Sequence, residues 1–300
     1  MCRSYIQCFG GLNLAILKTE NLNFVYSENT PFEMAALKNV NIEIDKGDFV
    51  GVIGHTGSGK STLVQHFNGL IKPTSGKIYF NGEDIWSNES KIGDLRFKVG
   101  LVFQYPEYQL FDTTVASDIA FGPRNMGLSD AEIKQRVEMA AHYVGLTNET
   151  LEKSPFDLSG GQKRRAALAG VLAMKPEVLI LDEPTAGLDP VGRDTILERI
   201  SEFRKDSNTT ILLVSHSMED VAKVANKVLV MNNGEAVMYD TVEKVYSHGE
   251  ELHEMGLNIP HITKVVMALR KKGIDVPKSI YTVDAAYEAI LELFKKEGKI

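Results

Sequence analysis

Apolar positions recur at period two from Leu17, with Leu22, Phe24 and Tyr26 on one side, which predicts a strand. Ser27 to Pro31 is turn-rich, and Val40, Ile42 and Ile44 resume the alternation as a half-exposed strand. Lys46, Gly47 and Asp48 read as a turn, and Phe49 to Ile53 is a continuous apolar run, as in a strand buried on both faces of a parallel sheet. A Gly-rich loop and a helix to about Leu70 follow, then a β-rich piece from Lys77 to Phe80. Residues 106–174 read mostly as helix, and Ser129 with Glu132 forms a capping box that opens a helix through about Val144. Val178–Leu181, Thr210–Val214 and Lys227–Met231 are short apolar runs that read as central strands of the same sheet. Strands alternating with helices predict an α/β layer fold. After about Val245 the pattern turns helical. Pro260 precedes an amphipathic helix with Ile262, Val265, Val266 and Leu269 on one face, and Thr282 caps a last helix bearing Ala286, Ile290 and Leu293.

Composition narrows the class. The 300 residues are 43% hydrophobic and 24% charged, ordinary for a globular protein. The net charge of −7 argues against a protein whose main task is gripping a phosphate backbone, so no nucleic-acid partner is expected. Cys2 and Cys8 are the two cysteines, which excludes a disulfide scaffold or a four-cysteine zinc site within one chain and fits a reducing cytosol. No stretch approaches the roughly 18–20 apolar residues that cross a bilayer. A role at a membrane is therefore expected to be peripheral, on the cytoplasmic face. Residues 1–16 lack a proper hydrophobic region and cleavage site, so a signal peptide is rejected. They read as a disordered tail or as a start codon set too far upstream.

Candidate chemistry begins where the first buried run ends. Gly54, His55, Thr56, Gly57, Ser58, Gly59, Lys60 and Ser61 match the P-loop pattern in its strand–loop–helix context. The glycines let backbone N–H groups curl toward phosphate oxygens, and the helix that follows presents its positive end to the same anion. Lys60 supplies a point charge for the β- and γ-phosphates, Ser61 a hydroxyl for Mg2+, and Thr62 continues the ATP-binding set. Val178 to Leu181 then delivers Asp182 and Glu183 at a strand's carboxyl end. Asp182 is expected to hold the metal, and Glu183 to polarise the water that attacks the γ-phosphate. A solvated acidic pair is the bland alternative.

Leu158, Ser159, Gly160, Gly161 and Gln162 open another helix and make a second anion cradle, one more than a single ATP needs from one chain. Lying between the two motifs above, this text resembles the signature sequence of ATP-binding cassette (ABC) proteins. The resemblance covers about residues 17–244. It implies a P-loop NTPase cassette: a RecA-like α/β core, an antiparallel β subdomain and a helical signature subdomain at about 106–174, with a small helical appendage over 245–300. It also implies a head-to-tail dimer in which Ser159, Gly160, Gly161 and Gln162 of one subunit cover the ATP held by the other. By the same resemblance, Tyr26 stacks on adenine, Gln104 contacts Mg2+ and senses a transmembrane partner, Asp189 lies at the dimer interface, and His216 contacts the γ-phosphate. Glu183, His216 and Gln104 make up the implied catalytic set; Ser61, Gln104 and Asp182 make up the implied metal set.

A finer resemblance lies in Gln104 to Phe111, Thr114–Val115, Asp118 to Pro123 and Asn125, and in Thr30 to Glu33, Gly54–His55–Thr56, Gln65–His66 and Asn68. This text is similar to the second of the two ATPase types in energy-coupling-factor (cobalt and vitamin) importers. The resemblance implies a sister ATPase subunit, a transmembrane coupling subunit and substrate-binding membrane proteins for vitamins or metal ions. Tyr105, Tyr108 and Phe111 then line a partner groove; in a purely structural reading they bury into the helical subdomain. Three other readings compete: a generic importer or exporter ATPase that works as a homodimer, a soluble cassette acting on nucleic acid or ribosomes, and a GTP switch. The last needs Asn-Lys-x-Asp, whereas Asn226-Lys-Val-Leu229 lacks the aspartate. The soluble class carries coiled-coil insertions, zinc cysteines or paired cassettes, and none is present.

Overall fold

A computed structural model describes residues 15–296. Cys2, Cys8 and most of the tail assigned to residues 1–16 lie outside the described residues. The chain opens with β1 (Ala15–Tyr26) and β2 (Met34–Asp45), then β3 (Phe49–Ile53) and α1 (Lys60–Phe67). β4 (Ser75–Phe80), β5 (Glu83–Asp84), α2 (Ile92–Lys98) and β6 (Val99–Val102) follow. The helical subdomain contains α3 (Val115–Asn125), α4 (Asp130–Val144), α5 (Asn148–Leu151) and α6 (Gly160–Leu172). Then come β7 (Val178–Asp182), α7 (Pro190–Ser207), β8 (Thr210–Val214), α8 (Met218–Val224), β9 (Lys227–Asn232) and β10 (Glu235–Thr241). Four helices complete the described chain: α9 (Val242–Ser247), α10 (Gly249–Glu254), α11 (His261–Lys271) and α12 (Val283–Lys296).

Two sheets result. One is antiparallel, in the order β2-β1-β4-β5. Val40, Ile42 and Ile44 are buried while Asn39, Asn41 and Glu43 face solvent, as period-two patterning requires. The other runs β10-β9-β3-β8-β7-β6, with β9, β3, β8, β7 and β6 mutually parallel. β3, β6, β7 and β8 are buried throughout, because both faces of this sheet are covered. On β3, Phe49 and Ile53 enter the core shared with the helical subdomain, and Val50 and Val52 enter the core shared with the antiparallel sheet. Close approach of α8 explains Gly51: a Cβ there would lie 2.3 Å from Val221. β3 sits between β8 and β9, so the loop leaving it emerges beside the ends of both neighbours.

The Ser129–Glu132 capping box is present, and α4 ends at Val144. β10 is an element that periodicity did not reveal. Asn233 and Gly234 both take positive φ, 50° and 87°, as the two-residue turn joining β9 to β10 demands.

Two boundaries shift. The tail assigned to 1–16 ends sooner, since Ala15 and Ile16 already belong to β1 and Ile16 is fully buried. The appendage placed at 245 also starts later as a separate body. Val242, Val245, Tyr246, Leu252, Leu257 and Ile259 all join the main core, and the Tyr246 hydroxyl donates to Met218 O at 3.2 Å. A small core of its own, formed by Val266, Val276, Ile280 and Ala286, appears only with α11 and α12. Val265, assigned to the buried face of α11, is instead 48% exposed. Ile16 supplies a check on the first correction. Ile16→Ala should lower unfolding stability in urea by about 2–5 kcal/mol, as for other buried Ile truncations. A change too small to measure would place Ile16 outside the fold.

Candidate functional site

The phosphate loop is held by close backbone packing. At Gly54 a Cβ would lie 2.4 Å from Met231 O and from Ser58 Oγ; at Gly59, with φ +98°, it would lie 2.6 Å from Ala36 O. No larger residue fits either position without moving backbone. Ser58 O accepts from the Gly234 N–H at 3.1 Å, and Gly234 O accepts from the Lys38 N–H at 2.8 Å. The β9–β10 turn thus braces the loop against β2. His55 adds a second brace: its ring nitrogens lie 2.7 Å from Thr56 O and 3.1 Å from Asn232 Oδ1. α1 starts at Lys60 with Gly59 at its cap position and no side-chain cap, which leaves its first N–H groups for an anion.

Lys60 is 6% exposed, and its ammonium donates to Gly54 O at 2.8 Å and His55 O at 3.0 Å. Burial lowers its pKa, against the pull of Glu183 and Asp182. Asp182 is buried at the end of β7, and its carboxyl is pushed up by burial; a hydrogen bond from Ser61 and the charge of Lys60 oppose the shift. Glu183 is pushed up by burial and then by the charge of Asp182.

Glu183 also takes a left-handed backbone, φ +55°, which costs a non-glycine residue about 1–3 kcal/mol when the surroundings enforce it. Its N–H donates to Val214 O at 3.0 Å and its O accepts from the Ala186 N–H at 3.2 Å, so both sides of the residue are pinned. The carboxylate is thereby turned toward the end of β8, where His216 Nε2 lies 2.9 Å from Glu183 Oε1. Burial lowers the His216 pKa and raises that of Glu183, so the charged form of each partner is disfavoured at this contact. Lys60, Ser61, Asp182, Glu183 and His216 therefore form one cluster, built from the ends of three adjacent strands.

The remaining predicted residues surround this cluster at different distances. Tyr26 is half-buried at the end of β1, with its hydroxyl 3.1 Å from Thr62 Oγ1 and its ring edge-on to Phe24 at 4.7 Å. Gln104 follows β6 and is exposed, with no side-chain hydrogen bond among the described residues. Ser159 caps α6 in a capping box with Gln162, and a Cβ on Gly160 or Gly161 would meet nothing within 4 Å. Among the described residues, no packing demands those two glycines. No hydrogen bond joins Ser159 or Gln162 to the phosphate loop among the described residues; each bonds the other. Asp189 caps α7, accepting from the Gly192 N–H at 2.7 Å, and is exposed.

Tyr105, Tyr108 and Phe111 are 46%, 85% and 59% exposed, so the alternative that buries them in the helical subdomain is wrong. Asp118 holds their segment, accepting from the N–H groups of Phe111 at 3.2 Å and Asp112 at 3.1 Å. Sequence reading also missed Asn232 and Gly234 as braces of the phosphate loop. The Asn-Gly pair at 233–234, a strong hairpin signal, pointed to them.

The donor set fits a hard divalent cation. The Ser61 hydroxyl and the Asp182 carboxylate, joined by a hydrogen bond, are both oxygen donors. Asp182 is a buried carboxylate, hydrogen-bonded by Ser61 and beside the charge of Lys60. No group of three or more His, Cys, Asp or Glu gathers among the described residues.

A phosphate loop and a buried acidic strand end, set on a parallel sheet, define a P-loop nucleoside triphosphatase. Comparison with known proteins narrows this. Residues 37–186 match the ABC transporter family. The chain is 55% identical over 283 residues to the energy-coupling factor transporter ATP-binding protein EcfA2 of Clostridium perfringens, covering 94% of this chain and 99% of the relative. It is 52% identical over 279 residues to the protein of the same name from Caldanaerobacter subterraneus, covering 93% and 98%. Among solved structures, cbiO1 of Clostridium perfringens, part of the ABC transporter complex cbiONQ, is 40% identical with a TM-score of 0.72, covering 84% of this chain and 99% of that one. A dimeric ATP-binding cassette bound to ADP and Pi is 26% identical with a TM-score of 0.68, covering 75% and 98%. The chain belongs to the ABC transporter family as an energy-coupling factor ATP-binding subunit, an ATP-hydrolysing enzyme.

Two substitutions test the assignment of roles within the site. Glu183→Gln should keep ATP binding and lose turnover at its own site by about 10²–10⁴-fold, the usual cost of a lost general base. Single-site turnover in the assembled dimer reads this directly, and near-normal hydrolysis at the altered site would remove Glu183 from that role. Tyr26→Ala should weaken ATP binding by about 1–3 kcal/mol while Tyr26→Phe keeps it, if the ring stacks on adenine. Equal affinities for Tyr26→Ala and the parent would take Tyr26 out of the site.

Proposed function

We propose that this chain is the peripheral, Mg2+-dependent motor subunit of an energy-coupling-factor importer on the cytoplasmic face of the membrane. In this reading Gly54 to Thr62 cradle the ATP phosphates and Tyr26 stacks on the base. Ser61, Asp182 and Gln104 would hold Mg2+, which neutralises phosphate charge when bound. Glu183 accepts the proton of the attacking water, and its pinned backbone fixes where that water stands. His216 orients Glu183 and meets the γ-phosphate. ATP closes a dimer with a sister ATPase, across which Ser159, Gly160, Gly161 and Gln162 of each subunit cover the ATP of the other, with Asp189 at the joint. The openness of Gly160 and Gly161 supports that placement, since close approach by a ligand held elsewhere gives them a purpose that internal packing does not. No described helix is long and apolar enough to cross a membrane, which agrees with a peripheral subunit bound to membrane partners. Those partners are a transmembrane coupling subunit and a substrate-binding membrane subunit for vitamins or metal ions.

The observation that carries the transport reading is the aromatic segment directly after Gln104. Phe111 stands at a groove of about 360 Å3 lined also by Leu110, Phe121, Asn125, Val171 and Met174. Phe111 and Phe121 meet edge to face at 5.1 Å. An apolar groove with exposed aromatics beside it suits a helix from a membrane partner, docked through hydrophobic anchors. Tyr108→Ala and Phe111→Ala should leave circular dichroism and ATP affinity unchanged, weaken copurification with the membrane subunits and reduce uptake into vesicles. If both variants assemble and transport like the parent, the coupling surface lies elsewhere.

A further inference from the structure

Arg164 lies on α6, two residues past the Ser159–Gln162 capping box, and is 6% exposed. Its guanidinium forks onto Glu107, with Nη2 3.0 Å from Oε1 and Nε 3.3 Å from Oε2. The third nitrogen, Nη1, donates to Ala186 O. Tyr105 flanks the group, its ring centre 6.0 Å away. One buried side chain, carried on the helix that follows Ser159, thus touches two other segments: the segment after Gln104 and the loop after Glu183.

The contacts continue without a gap into the catalytic cluster. Ala186 N–H donates to Glu183 O at 3.2 Å, and Glu183 Oε1 lies 2.9 Å from His216 Nε2. A buried ion pair is weak evidence for stability, because apolar side chains of similar size often serve as well. What no apolar residue, and no lysine, can do is meet a carboxylate bidentately while also donating to a carbonyl on another segment. That needs the planar fork of arginine.

We propose that Arg164 is a positioning residue that ties the membrane-facing segment to the catalytic carboxylate. A shift of Glu107 moves the guanidinium, the guanidinium moves Ala186, and Ala186 carries the strained backbone of Glu183. The tie rests on the reading of Tyr105 to Phe111 as the coupling surface. It adds a rigid route by which occupancy of that surface sets the position of Glu183, and by which closure over ATP is felt at the surface.

The test uses the complete transporter in lipid vesicles. Arg164→Lys keeps a positive charge beside Glu107 but cannot hold Ala186 at the same time. It should assemble and keep the parent's half-saturation for ATP, while substrate moved per ATP falls by about two- to thirtyfold, the range seen when a coupling network is disturbed. Glu107→Gln, which releases the other end, should lower the same ratio. The parent's ratio in either folded variant overturns the proposal, and so does loss of fold in both, since that outcome makes the pair a packing element only. The coupling surface is read separately through Tyr108→Ala and Phe111→Ala. If those two lose assembly while Arg164→Lys keeps the parent's ratio, the surface stands and the tie is wrong. If those two assemble and transport like the parent, the underlying reading fails.

Discussion

The Lys60 ammonium is held by the carbonyls of Gly54 and His55 and feels the charges of Glu183 and Asp182, in a place withdrawn from water. Burial lowers the pKa of the lysine and raises those of both carboxyls, so each charged form is held at a cost. Much of the fold serves to keep these groups together. β3 must end where α1 can begin uncapped, β7 must end beside it, and β8 must lie between them to carry His216 within reach of Glu183. The β9–β10 turn braces the loop from below. In the proposed reading, phosphate oxygens would meet the lysine and a hard cation would meet the carboxylates.

Much of this was legible in the chain. Phe49–Ile53, Val178–Leu181 and Thr210–Val214 read as buried parallel strands because both faces of their sheet are covered, which removes polar residues from the pattern. Motif spacing then gave Lys60, Ser61, Asp182 and Glu183, which the structure gathers into one cluster. Other features left no periodic trace. β10 alternates only weakly, since much of it is half-buried at a sheet edge. Ile16 lay beyond where the alternation was clear. The Glu107–Arg164 pair joins residues far apart in sequence, and a lone Glu or Arg in a charged helix reads as solvated until the fold brings the two together.

Strain and order are divided between the two sides of the site. Glu183 is fixed by a left-handed backbone and hydrogen bonds on either side, which suits a residue that must stand in one place when water attacks. Gln104 and the aromatics after it are exposed, which suits a segment whose position a partner decides. Arg164 stands between these regions. In the proposed cycle, binding energy from ATP closes the dimer and is delivered to the membrane partner through contacts such as these, while chemistry at Glu183 releases it.

The central claim is that ATP hydrolysis by this chain drives uptake through membrane partners, and reconstitution tests it most directly. The chain, its sister ATPase and the copurified membrane subunits would be placed in vesicles with ATP and Mg2+ on the side bearing the ATPases. Substrate moved across the bilayer and phosphate released would be counted together. The expected result is that substrate crosses only while ATP is hydrolysed and stops when a non-hydrolysable analogue replaces it. Uptake that proceeds unchanged with the analogue, or steady hydrolysis with no uptake of any substrate the membrane subunits bind, would contradict the claim.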